Sequence, residues 1–151
     1  MIYLATDHAG FELKEKVKAF LTSSGHEVID CGADTFNPDD DYPDFIAKAA
    51  QGVSKDPDNS KAIIFGKSGQ GEAIVANKVK GIRAVVYYGG NSEIIKLSRD
   101  HNDANVLSIG AGFVSENEAQ SLIEEWLGRK FSNEERHSRR INKIKEIENN
   151  G

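Results

Sequence analysis

At 151 residues the chain is long enough for one domain around a single hydrophobic core and too short for two ordinary ones. Hydrophobic residues make up 38% and charged residues 28%, a globular balance that excludes fibrous and disordered classes. The formal charge of −5 runs against the basic bias of a nucleic-acid-binding surface, and no apolar run is long enough to span a bilayer.

The first segment, Ile2 to Ala5, is a strand-like run ended by Thr6-Asp7-His8 and Gly10. It lacks the basic-then-apolar pattern of a secretory leader, and the lone Cys31 has no partner for an internal disulfide, so a cytoplasmic location is expected. From Phe11 the apolar residues Leu13, Val17, Phe20 and Leu21 fall at helical spacing, closed by Ser23-Ser24-Gly25. His26 to Asp30 reads as a second strand. Thr35 to Tyr42 is an Asp-rich loop, and Pro43 opens a helix running to about Val53. After the turn Asp56-Pro57-Asp58-Asn59 comes the most apolar strand, Ala62 to Phe65. The loop Gly66-Lys67-Ser68-Gly69-Gln70-Gly71 follows, then a helix from Glu72 to about Val79.

Arg83 to Tyr88 is a fourth strand, Asn91 to Asp100 a helix, and Asn105 to Ile109 a fifth strand entering Gly110-Ala111-Gly112. Ser115 to Leu127 is helical. A final helix carries Ile141, Ile144 and Ile147 behind Ser132-Asn133-Glu134-Glu135, a capping-box spacing. Strands without polar alternation, each followed by a helix, predict a doubly wound α/β fold. The expectation is a five-stranded parallel sheet in a Rossmann-like αβα sandwich, with the last helix free to pack on another subunit.

Ligands in such sheets bind beyond the carboxyl ends of the strands. The polar residues read as gathering at those carboxyl ends are Asp7 and His8, the glycine loop with Glu72, and His101-Asn102 ahead of strand five. The loop matches neither nucleotide motif: a Walker pattern needs glycine where Lys61 stands, and a dinucleotide fingerprint needs glycine or alanine at Ile74. What remains is a loop whose N–H groups, beside a helix N-terminus, suit an anion; a tight strand-to-helix turn is the plainer explanation. Glu72 alone reads as a helix-dipole partner, His101 as a helix-end cation, Asp7 as an N-cap, and Arg136 to Arg140 as a solvated basic face. Taken together they offer a base, an acid, an oxyanion loop and two arginines at i,i+4 spacing.

Several segments in combination resemble the ribose-5-phosphate isomerase B family, which includes the galactose-6-phosphate isomerase subunits. They are Asp7-His8-Ala9-Gly10, HEVID with Cys31-Gly32, Asp41-Tyr42-Pro43, Gly66 to Lys78, Gly81 to Ala84, His101 to Val106, and Arg136-His137-x-x-Arg140. That family divides by its base, a cysteine ending strand three or a glutamate after the glycine loop. Gly66 and Glu72 place this chain with the glutamate branch. The resemblance implies ribose 5-phosphate/ribulose 5-phosphate isomerisation in the pentose phosphate pathway, without metal or cofactor. Catalytic roles would fall to Glu72, His101, Asp7 and Ser68. Substrate binding would fall to His8, Lys67, Gly69, Gln70, Gly71, Asn102, Arg136 and Arg140, with the site shared across a homodimer or dimer of dimers.

Two departures stand out: Gly112 where many members carry arginine, and Lys67 where a small residue is common. A wider pocket for a hexose 6-phosphate, or a non-catalytic sugar-phosphate binder, are the alternatives to the pentose reaction.

Overall fold

The computed structural model describes residues 1–151. The chain order is β1 (Ile2–Thr6), a 3-10 turn (His8–Gly10), α1 (Phe11–Ser23), β2 (Val28–Asp30), α2 (Tyr42–Lys55), β3 (Lys61–Gly66), α3 (Gln70–Ala76), β4 (Ala84–Tyr87), α4 (Glu93–Asp100), β5 (Val106–Gly110), α5 (Glu116–Gly128) and α6 (Glu135–Asn150). All five strands lie parallel in one sheet of order β2-β1-β3-β5-β4. The fold is the doubly wound α/β sandwich that the alternating apolar and amphipathic segments predict.

Two hydrophobic layers sandwich the sheet. On one face Leu13, Val17 and Leu21 of α1, Ile95 of α4, and Leu122, Ile123 and Trp126 of α5 cover Leu4, Ile63, Leu107 and Ile109. On the other, Ile46, Ala49, Ala50 and Val53 of α2 and Ala76 of α3 cover Ala5, Ala62, Ile64 and Val106. The central strands β1, β3 and β5 are covered twice, which is why they read as unbroken apolar runs. The edge strands β2 and β4 stay half-open.

β5 inserts between β3 and β4, so Gly66 and Gly110 sit side by side at the carboxyl edge. A Cβ on Gly110 would meet the Ser68 carbonyl at 2.6 Å, so the two glycine turns pack directly on one another.

The element ends differ from the sequence expectation for local reasons. α1 closes with Gly25 at φ +88°, where its N–H reaches the Thr22 carbonyl and the His26 N–H reaches Leu21, so β2 starts only at Val28. α3 starts at Gln70 rather than Glu72, because Gly69, at φ +82°, is its left-handed N-cap. Ser132 does not cap the last helix: its hydroxyl donates to the Asp100 carbonyl, and α6 begins behind Glu134 with no side-chain cap.

Candidate active site

The carboxyl edge of β1 and β3 gathers one group of the expected residues. Glu72 lies in the first turn of α3 and is only 4% exposed. Its carboxyl group lies over Gly66: a Cβ added there would land on the Glu72 carboxyl atoms. The end of β3 is therefore glycine for a spatial reason, since a side chain at 66 and a glutamate at 72 compete for one volume. Burial pushes the Glu72 carboxyl above the ordinary carboxylate range and the neighbouring charge of Asp7 adds to it, while its own N–H and that of Gly69 pull it back. This is the profile of a base poised nearer neutrality than an exposed glutamate.

Asp7 is buried beside it and accepts from the Ala9 N–H at 2.9 Å, capping the 3-10 turn. The capping reading and the site reading of Asp7 thus coexist. His8, the next residue, donates from its backbone N–H to Asp40 Oδ1 at 3.1 Å, and its ring Nδ1 lies 2.7 Å from the same oxygen. That bond raises the imidazole pKa, with Asp7 adding to the effect against the pull of desolvation. His8 therefore keeps its proton to higher pH, with Nε2 left to face a ligand. Asp7, His8 and Asp40 are also the three groups whose donor atoms lie within 4.8 Å of each other, a spacing a cation could use. His8 Nδ1 is paired with Asp40 Oδ1 and Asp7 Oδ1 caps the turn, while Asp40 Oδ2 is buried without a partner.

The glycine loop closes the edge. Ser68 Oγ accepts from the Gln70 N–H at 3.3 Å, and the Gly69 carbonyl accepts from Ser108 Oγ at 2.6 Å, anchoring the loop to β5. Gly71 has no room for a side chain, because the Tyr42 hydroxyl would lie 2.6 Å from its Cβ. Gln70 and Lys67 are exposed. The Lys67 stem runs across Gly112: a Cβ at 112 would meet Lys67 Cδ and Cε at 3.0 Å. Lys67 thus lies beside the position from which an arginine at 112 would start.

The second group sits at the other edge of the sheet. α4 runs antiparallel to the strands, so His101 at its C-terminus and Asn102 lie where β5 begins, not where it ends. Arg83, just ahead of β4, fixes that end by donating Nε to the carbonyls of Asn102 and Asp103 at 3.0 Å and its backbone N–H to Asn105 at 2.8 Å. The five residues of β5 put roughly 16 Å between the two edges. Arg136 and Arg140 project into solvent from the first turns of α6. The same helix lays His137 flat against His101, with ring centroids 4.1 Å apart. One chain therefore assembles Asp7, His8, Ser68, Gly69, Gln70, Gly71, Lys67 and Glu72 together, and holds His101, Asn102, Arg136 and Arg140 as a separate group. Placing His101-Asn102 with the carboxyl-edge residues is corrected: flanking β5 in sequence puts them at its opposite end.

Three residues with evident bearing on the site were assigned no role from the sequence: Asp40, one of several acids in a polar loop; and Tyr42, packed on Gly71, and His137, which fall inside the resembling segments without a function of their own. The paired Asp-rich loop and His8 become a partnership only once the loop folds back.

Comparison with known proteins gives a consistent result. The sequence model of the Ribose/Galactose Isomerase family matches residues 2–144. Ribose-5-phosphate isomerase B of Mycolicibacterium paratuberculosis is 43% identical over 147 residues, covering 97% of this chain and 91% of that protein. The Escherichia coli K12 protein of the same name is 38% identical over 148 residues, covering 97% and 95%. Among solved structures, ribose-5-phosphate isomerase B from Mycoplasma genitalium with bound ribulose-5-phosphate superposes with a TM-score of 0.94 at 35% identity, covering 99% of this chain and 97% of that one.

Proposed function

The chain belongs to the ribose/galactose isomerase family, and from that premise we propose that it interconverts ribose 5-phosphate and ribulose 5-phosphate with Glu72 as the group that carries the proton. The observation behind this reading is the buried Glu72 carboxyl, seated over Gly66 beside Asp7 and facing a glycine turn. In the forward direction His101 gives a proton to the ring oxygen while Asp7 takes the anomeric hydroxyl proton, and the furanose opens. The Glu72 carboxylate removes the proton from C2. The electron pair moves to the C1 carbonyl oxygen, giving an enediolate. N–H groups of the turn at Gln70 and Gly71 and the Ser68 hydroxyl stabilise that oxyanion, an arrangement commonly worth about 3 kcal/mol per donor. Glu72 returns its proton to C1, and the O2 hydroxyl proton passes to O1, leaving the ketose. Every proton moved belongs to the substrate or to these side chains, so the scheme needs no cofactor, and activity is expected to persist in chelator.

His8 held protonated by Asp40, together with Lys67, Arg136 and Arg140, suits the phosphate; planar guanidinium forks match its oxygens. Asn102 suits the sugar hydroxyls. The separation of the two groups within one chain supports a homodimer in which one subunit's His101, Asn102, Arg136 and Arg140 complete the other's site. A half-open groove of about 520 Å3 between α3 and the edge strand β4, flanked by exposed Ile74, is surface that a second copy would cover. A lone half-buried Cys31, its thiol pKa raised by burial, fits a reducing cytoplasm.

The direct experiment is turnover of ribose 5-phosphate by the wild-type protein and by Glu72→Gln. The reading predicts activity in the first and a loss of about a thousandfold in the second. Unchanged turnover in the variant would remove Glu72 from the reaction.

A further inference from the structure

The chain from Arg129 to His137 is wrapped around the last turn of α4 by contacts that serve no other element. The Arg129 guanidinium binds Asp100 through two bonds, Nε to Oδ1 at 2.7 Å and Nη2 to Oδ2 at 2.8 Å. Its carbonyl accepts from Arg99 Nε at 2.9 Å, and Ser132 donates to the Asp100 carbonyl at 2.6 Å. These three tethers bracket the residue immediately before His101. They deliver His137, 4% exposed, so that its ring stacks on His101 at 4.1 Å and 20°.

The contact is a stack, not a hydrogen bond. His137 Nε2 has no hydrogen-bond partner, and the nearest acid, Glu134 Oε2, stands 3.4 Å away. The groups facing His137 are His101 from α4, Arg136 and Arg140 from its own helix, and Glu134 at its cap. Burial pushes its imidazole pKa down, and the charges of His101 and Arg136 push the same way. The charged form of this ring is therefore disfavoured.

We infer that His137 is a positioning residue for ring opening: stacked on His101 and tethered through Arg129 and Ser132, it fixes the plane in which His101 presents its proton to the substrate held by the other subunit. A general acid acts only from a narrow range of positions, and a shift of an ångström costs ten- to a hundredfold, on the order of the effect expected here. Because Arg136 and Arg140 ride on the same helix, one anchoring contact also aligns the phosphate-binding arginines with the acid.

This inference rests on the proposed reaction, and two variants that fill the same space separate the outcomes. His137→Phe keeps a flat ring on His101; His137→Leu keeps the volume and loses the stack. Both are measured for kcat, KM, thermal midpoint and the isotope effect with ribose 5-phosphate deuterated at C2. The expected result is kcat within about threefold of wild type for Phe and down about tenfold or more for Leu. In the Leu variant ring opening becomes slower than proton transfer, so its isotope effect falls below that of wild type. Equal losses in the two variants, a wild-type rate in Leu, or a lost rate with an unchanged isotope effect would each overturn the positioning role. A wild-type protein without activity on ribose 5-phosphate would instead remove the proposed function itself.

Discussion

At the scale of single residues, the site turns on who occupies the volume above Gly66. A methyl group there displaces the Glu72 carboxyl, so Gly66→Ala is expected to lower kcat at least about tenfold while leaving KM for the sugar phosphate nearly unchanged, since the phosphate groups lie elsewhere. The raised pKa of Glu72 has a definite pH consequence. The base must be ionised, so kcat/KM falls as pH drops through the folded pKa, and this acid limb lies above the ordinary carboxylate value.

His8 has the opposite sense. Its raised pKa keeps the imidazolium, and with it phosphate affinity, to a higher pH than an unpartnered histidine. Asp40→Asn keeps an acceptor but removes the negative charge that favours the imidazolium, so the rise in KM with pH should begin at lower pH than in wild type; superimposable profiles would contradict the pairing. Asp40 and Glu72 show how unevenly the sequence discloses its residues. Glu72 announces itself by following a glycine loop, whereas Asp40 is one acid among Asp39, Asp40 and Asp41 until the loop packs on His8.

At the scale of elements, the short strand β2 is held by charge rather than by area. Lys14 on α1 is fully buried and donates to both oxygens of Asp30 at 2.7 and 2.9 Å and to the Ala33 carbonyl at 2.7 Å. Lys18 adds a contact at 3.0 Å. Burial pushes the Asp30 carboxyl up, but the bonds from Lys14, the Gly32 N–H and Lys18 outweigh it, and the net pKa is lowered. The stability this gives is present above the ordinary aspartate value and is lost as pH falls through the lower folded value. Lys14→Met removes the buried partner of Asp30, leaving only Lys18 and the Gly32 N–H, and is expected to destabilise the fold by about 3 kcal/mol in chemical denaturation, whereas Lys18→Met, exposed, should cost under about 1 kcal/mol.

The elements themselves were largely legible, because burial on two faces forces apolar runs into β1, β3 and β5. Their ends were not. Ser132 satisfied the spacing of a capping box yet bonds to Asp100, because a distant carbonyl was nearer than the helix it precedes.

At the scale of the whole molecule, the two groups of site residues predict complementation between subunits. Glu72→Gln and His101→Asn should each be inactive alone. After mixing and subunit exchange, half of the dimers are hybrids, each with one intact site, so activity should return to about a quarter of wild type. A mixture that stays inactive after confirmed exchange would show that the residues act within one chain.

The sequence by itself determined the class of fold and the kind of chemistry. Apolar periodicity records which faces are buried, and a glutamate behind three glycines records a base beside an anion-binding turn. Only the tertiary structure decided which of these residues share a place. Strand direction put His101 and Asn102 at the far edge, the folding of a polar loop gave His8 its partner, and the packing of α6 laid His137 on His101. Such pairings join residues tens of positions apart, and local spacing holds no record of a contact that exists only after the sheet has closed.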